Sequence, residues 1–271
     1  MSSQPINHIN LAFFGVTGGC ANACLTHTLK NGYKASALAR TPSKLQSQLI
    51  SQGLDKETLD NNLTIIQGDA TDVEAVKRTL SPAANHGKIV STIISGLGGA
   101  PKFQTSLTQP ITIDNPNITE QATRATLAAI EALLQQSSVA GEEQQKPLYV
   151  VISTTGISAG PNDVPLTLRP IYYFLELPHA DKRRMEQMLF ESADDSVRQV
   201  IRGAIAVRPT LLVGDHLISN GNGWKTLRVG TEKKPAMGHA IKRVDVGEWI
   251  FEEIVRRGGE KWVGEKVTLT S

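Results

Sequence analysis

The segment Phe14-Gly15-Val16-Thr17-Gly18-Gly19-Cys20-Ala21 constrains this chain more than any other. It follows an apolar run with strand character, Ile9–Phe14, and leads into a helical pattern, Ala21–Lys30. Gly15, Gly18 and Ala21 fit the spacing GxxGxxG, with alanine in the third place. The first glycine permits a tight turn, the second lets backbone approach a pyrophosphate, and a small third residue lets helix and strand touch. The start of the helix then offers N–H groups and a positive dipole end to phosphate. A glycine pattern set between a strand and a helix reads as a dinucleotide site rather than a simple turn. Gly15, Thr17, Gly18, Gly19 and Cys20 are its expected residues.

The same alternation continues along the chain. Strands are expected at 34–39, 63–67, 89–94, 148–152 and 204–207, and helices at 43–52, 72–80, 118–136 and 179–191. Strand and helix repeating at this spacing predict an α/β fold, a Rossmann-type doubly wound parallel sheet covered on both faces. Beyond Val207 the rhythm fails, and residues 208–244 are rich in Gly, Asn, Lys and Pro. A helix at 246–256 and a strand at 266–269 close the sequence. The expected plan is one domain over 1–271, with 208–244 forming most of a small substrate-binding lobe.

With 28 Lys and Arg against 26 Asp and Glu, the charge is too balanced for a protein that tracks nucleic-acid phosphates. No apolar run approaches the roughly 18 residues of a membrane span. The first residues lack the pattern of a secretory signal, and the expected location is the cytoplasm. Cys20 and Cys24 stand four apart on a predicted helix, which reads as small packing residues in a reducing compartment. The scattered histidines show no metal-ligand spacing.

The end of the second strand addresses cofactor choice. An NAD site places Asp or Glu about 20 residues beyond the glycines, for the ribose 2′-hydroxyl. Here the sequence is Ala39-Arg40-Thr41-Pro42-Ser43-Lys44, without an acid. Arg40 has the planar fork for a 2′-phosphate and Lys44 a point charge, so NADP(H) is the expected cofactor. Asp69 and Ala70 follow the third strand, where the sheet edge meets an adenine ring, although Asp69 also suits a helix cap. Ser95, Gly96 and Leu97 follow the fourth strand, where glycine allows close backbone approach to the middle of the cofactor or makes a turn.

Gly15–Ala21, Ala39–Leu45 and Gly68-Asp69 together resemble the atypical short-chain dehydrogenase/reductases of the NmrA-like, NAD(P)H-binding group, which includes the biliverdin/flavin reductases. Pro178–Glu186, Val207–Asp215 and Arg243–Gly247 extend the resemblance over nearly the whole chain. It implies that Pro209, Thr210 and Leu212 pack on the nicotinamide, and that a serine after the fifth strand, Ser153 with Thr154 beside it, bonds substrate or nicotinamide. The chain departs from the usual Tyr-x-x-x-Lys. Its counterpart is Pro178-His179-Ala180-Asp181-Lys182, with no tyrosine four residues before Lys182. Tyr172 and Tyr173 upstream read as pocket walls. Lys182 shares a helical stripe with Met185 and Leu189, which turns it inward near the carboxyl edge of the sheet. A buried ammonium needs partners. Lys182 is therefore expected to serve cofactor and catalysis, and His179 is a further proton-transfer candidate.

These residues predict an NADP(H)-dependent oxidoreductase that moves hydride to or from a small, fairly apolar carbonyl, quinone-like or enone compound. Two other classes use the same pocket: a regulator that senses NADP(H) without turnover, and a non-redox isomerase or cyclase. Monomer and homodimer both stay open.

Overall fold

The computed structural model describes residues 8–99, 101–103, 111–139, 144–191 and 196–271. The strands are β1 Leu11–Phe14, β2 Ala35–Ala39, β3 Leu63–Gln67, β4 Thr92–Ser95, β5 Pro101–Phe103, β6 Ile111–Ile113, β7 Leu148–Ile152, β8 Gly203–Pro209, β9 Leu211–Val213, β10 Arg228–Thr231, β11 Ala240–Lys242 and β12 Lys266–Thr270. The helices are α1 Gly19–Lys30, α2 Pro42–Ser51, α3 Lys56–Asn62, α4 Val73–Leu80, α5 Ile118–Val139, α6 Arg169–Tyr173, α7 Glu176–Glu186, α8 Ser196–Val200 and α9 Arg243–Ile250.

Eight strands form the main sheet in the order β10-β12-β8-β7-β4-β1-β2-β3. The pairs from β3 across to β12 are parallel, and β10 joins β12 antiparallel at the edge. Burial on both faces explains why these strands are nearly continuous apolar runs. Along β1, Leu11 and Phe13 pack into one core cluster with α1 and α9, while Ala12 and Phe14 pack into the opposite one with α4 and α5. Period-two alternation thus feeds two layers of helices. The chain order reverses between β1 and β4, and in such sheets ligands bind outside the carboxyl ends of the strands at that reversal. Gly15 follows β1 there and Gly96 follows β4.

Several boundaries differ from the sequence reading. The fourth strand begins at Thr92 rather than Ile89, because Val90 N–H is taken by Leu80 O at the end of α4. Helix α7 begins at Glu176, a turn before the expected 179, since Pro178 falls in the first turn, where its missing N–H costs nothing. The last helix begins at Arg243 and runs on through a wide π-turn, 251–256. Residues 208–244 include the end of β8, the edge strand β10 and a small parallel pair of β9 with β11. Trp224 is fixed by its N–H to Glu248 at 3.0 Å, and the Arg257 guanidinium lies 4.9 Å from its ring centre. Cys20 and Cys24 are free and buried in α1. A Cβ on Gly247 would stand 2.6 Å from Cys20 O, so small residues on both α1 and α9 permit their close packing.

Candidate active site

A cleft of about 560 Å³ opens at the reversal point. Its floor is the loop from Gly15 to Gly18, its far wall Arg40, Thr41 and Lys44 beyond β2, and its sides Gly68–Thr71 and Gly96–Gly98. Gly15 has φ +71°, and a Cβ there would lie 2.6 Å from the Gly96 backbone. A Cβ on Gly96 would in turn lie 2.6 Å from the Ala21 methyl. The loop between β1 and α1 therefore closes onto β4 through three small residues, a cradle that added carbon would fill. Gly18 is exposed to the cleft, with its own hypothetical Cβ 3.2 Å from Gly15 O. Helix α1 starts just beyond it with no acidic residue in its first turn. Its first N–H groups and dipole meet an anion without a competing carboxylate.

Arg40 and Lys44 are exposed on the cleft wall. Asp69 faces the same space, and its Oδ1 accepts from Thr71 N–H at 2.9 Å and Thr71 Oγ1 at 2.7 Å. Those bonds hold its carboxyl below the usual range, with Arg40 adding to them. Ala70 lies beside it. Val16, Leu38, Asp114, Asn115 and Ile118 also line the cleft. The sequence reading did not assign these five to the site. The last three stand at the head of α5, where only a long apolar helix with an unremarkable polar start marked the place.

Other expected residues are turned elsewhere. The Cys20 thiol is buried and pushed up to about 12 by desolvation, so only its backbone faces the helix start. Gly19 gives room to the Arg243 side chain, whose Cδ would be 2.2 Å from a Cβ there. Ser95 is buried, on the Tyr149 side of the sheet. Pro209 O accepts from Thr155 N–H at 3.1 Å. Thr210 is buried with its hydroxyl donating to Thr270, and Leu212 packs on the core. None of these six residues lines the cleft.

Lys182, on α7, is not one of the residues that line the cleft, but it reaches the cleft's Leu97 from behind. Its Nζ donates to Leu97 O at 2.8 Å and to Ile152 O at 2.6 Å, joining the carboxyl ends of β4 and β7. An ammonium has three N–H donors, so one has no partner among the described residues. Burial lowers Lys182 to about 8, against the opposing pull of Asp181 and Glu186. Those two acids also fix the helix. Asp181 accepts from Thr119 N–H at 2.9 Å and Glu120 N–H at 3.0 Å, tying α7 to the head of α5. Glu186 is gripped by both arms of buried Arg208, from Nε at 3.0 Å and from a terminal nitrogen, while the other terminal nitrogen reaches Glu232 at 3.0 Å. A forked guanidinium–carboxylate pair is directional and holds α7 against β8. Sequence reasoning missed Arg208. Its signal was an arginine within an otherwise apolar strand end.

Ser153 follows β7, and its buried Oγ has no hydrogen-bond partner among the described residues. Thr154 donates to Thr155 O at 3.0 Å. His179 is buried against Tyr172, with ring centres 5.3 Å apart, and desolvation brings it down to about 4. Arg183 adds to that fall, so the imidazole is neutral at physiological pH. Tyr172 is buried, whereas Tyr173 is exposed and walls no described cavity. Arg183 and Arg184 point outward to Glu176 and Glu120. No cluster of three or more metal-ligating side chains occurs among the described residues. No described helix is long and apolar enough to cross a membrane.

The sequence model of one family, described as NAD(P)H-binding, matches residues 15–256. A protein named Oxidase pynE from Aspergillus niger is 46% identical over 280 aligned residues, which take in 96% of this chain and 98% of that one. A second, Reductase pytE from Aspergillus terreus, is 39% identical and covers 99% of both chains. Among solved structures, a short-chain dehydrogenase/reductase (wide type) from Veillonella parvula in complex with NADP superposes with a TM-score of 0.63 at 13% identity, covering 96% of this chain and 94% of that one. Glycine cradle, helix start and relatives agree: the chain belongs to the NAD(P)H-binding family, as an oxidoreductase that takes a nicotinamide cofactor.

Proposed function

We propose that the chain is an NADP(H)-dependent oxidoreductase for a small, fairly apolar carbonyl, quinone-like or enone compound. The observation that carries the NADP(H) reading is Arg40 with Lys44 on the wall beyond β2, where no acid stands to take a ribose 2′-hydroxyl. In this reading the 2′-phosphate lies on Arg40, adenine lies beside Asp69 and Ala70, and the pyrophosphate lies over Gly15–Cys20. Bound nicotinamide supplies or accepts the hydride. The third N–H of Lys182 is assigned to a ribose hydroxyl, and its other two donors hold it between β4 and β7. Ser153, a buried hydroxyl with no described partner, is assigned as donor to the nicotinamide amide or the substrate oxygen. Thr154 already donates to backbone and shapes the same strand end. His179, neutral and apolar-packed, is assigned to the wall rather than to proton delivery. Pro209, Thr210 and Leu212 support that wall from behind, and the 208–244 segment borders the substrate.

Incubation with NADPH and a panel of quinones, flavins and enones, followed at the absorbance of reduced nicotinamide, tests this reading. Consumption of NADPH with one of these acceptors, faster than with NADH, is the expected result. Tight binding without consumption of either cofactor would make the chain a sensor. Conversion of an added compound without consumption would make it an isomerase.

A further inference from the structure

Beyond Ser153 the chain turns through Thr155 and Gly156 into a loop that borders a second, open cavity of about 400 Å³. Gly156, Ser158, Asn162, Asp163, Arg169 and Tyr172 line it. Gly156 has φ +83°, and a Cβ there would stand 2.3 Å from the Tyr172 ring, so the absent side chain lets the ring pack on the turn. The Tyr172 hydroxyl is engaged with Thr155 Oγ1 at 2.8 Å. Asp163 is only 2% exposed. Its Oδ1 accepts from Gly156 N–H at 2.9 Å, which suffices to close the loop. Its Oδ2 is buried and has no hydrogen-bond partner among the described residues.

A buried carboxylate oxygen without a donor is costly and calls for one. The buried cation whose charge acts on it, Arg208, makes no hydrogen bond to this oxygen. Arg208 commits its Nε and both terminal nitrogens to Glu186 and Glu232. Burial raises the Asp163 carboxyl, and Arg208 and the Gly156 N–H only partly oppose the rise. An ionised carboxylate accepts and does not donate. Its complement is a group that donates, and its charge repels an anion. The cavity adjoins the proposed reaction centre. Thr155 is two residues past Ser153, and His179, whose ring meets Tyr172, lies three residues before Lys182 on α7.

We infer that this cavity is a ligand subsite in which Asp163 Oδ2 accepts a hydrogen bond from a hydroxyl or N–H group of an uncharged organic molecule. The identification of that molecule as the substrate rests on the oxidoreductase reading above; the subsite itself does not. It narrows the substrate class to compounds with a donor group beside the reducible one.

Phenol, anisole and benzoate serve as probes on ¹⁵N-labelled protein, read at the Gly156 amide. Phenol is expected to shift that amide and to bind at least tenfold more tightly than anisole, which lacks the donor, and than benzoate. In Asp163→Asn, Oδ1 still accepts from Gly156 while the other position becomes a donor, and the preference for phenol over anisole is expected to vanish. Equal binding of phenol and anisole by the wild type, shifts that leave Gly156 untouched, or an intact preference in Asp163→Asn would overturn the inference. Should Asp163→Asn not fold, the wild-type comparison decides alone. NADPH titrated into the same sample separates the two readings. Phenol selectivity at Gly156 without NADPH binding keeps the subsite and ends the cofactor assignment, and the reverse result ends the subsite only.

Discussion

Replacing Lys182 by methionine keeps most of the apolar stem and deletes the charge. Two charge-assisted hydrogen bonds, at 2.8 and 2.6 Å, are then lost. Each is worth about 1.5–3 kcal/mol, and two carbonyls lose a partner. Against this stands relief from desolvation. Burial takes the ammonium from 10.5 down to about 8, a penalty on the order of 3 kcal/mol that methionine does not bear. The two terms partly cancel, so folding stability should fall by no more than about 3 kcal/mol, at most about 12 °C in Tm for a chain of this size. Met185 and Leu189, buried on the same helical stripe, are untouched. The third N–H has no such compensation. Its loss from a ribose hydroxyl should lower NADPH affinity or turnover at least tenfold, about 1.4 kcal/mol. Thermal unfolding by circular dichroism and NADPH titration by fluorescence, on one preparation, separate the two effects. A folded Lys182→Met protein that binds and turns over NADPH like the wild type would refute the assignment. A protein that fails to fold would refute the cancellation.

Arg40→Ala should weaken NADPH by one to two decades and leave NADH nearly unchanged, the loss of one charge-assisted contact of roughly 1.5–3 kcal/mol; equal losses in parallel titrations would make Arg40 a support of the fold. Gly18→Val places branched carbon in the exposed floor of the cleft, so nicotinamide binding should disappear while the circular dichroism spectrum persists. With the Lys182 ammonium as the working form, cofactor affinity should fall as pH rises through about 8, with no inflection near 6 to 7 from neutral His179. Stability runs the other way: between about 8 and 10.5 the unfolded chain holds a proton that folded Lys182 has released, so this residue's contribution to stability rises with pH. Arg208→Met strands the buried Glu186 carboxylate and should cost about 3–5 kcal/mol in urea unfolding; a loss under 1 kcal/mol would show that the carboxylate finds another partner.

The glycine motif and the central strands were legible because both depend on short-range chemistry. A turn that needs φ +71° at Gly15 selects glycine, and strands buried on two faces select apolar runs. Lys182 was legible from helical phase, since Met185 and Leu189 fix the inward stripe. Elements held mainly by partners were not. The edge strand β10 has two exposed residues among four and exists through its pairing with β12. Helix α3 buries only Leu59, and its polar sequence hid it. Long-range pairings defeated side-chain assignment in the same way. Ser95 looks like a cleft residue in its Gly-rich context, yet it is buried on the Tyr149 side of the sheet. Asp163 and Arg208 gain their meaning from Gly156 and Glu186, contacts that no local pattern announces.

A crystal structure of the protein with NADP⁺ tests the central claim most directly. The account predicts the pyrophosphate on the Gly18–Cys20 backbone, the 2′-phosphate against Arg40, and a ribose hydroxyl within hydrogen-bond distance of Lys182 Nζ. A cofactor bound outside the cleft between β1 and β4, or a 2′-phosphate pointing away from both Arg40 and Lys44, would contradict it.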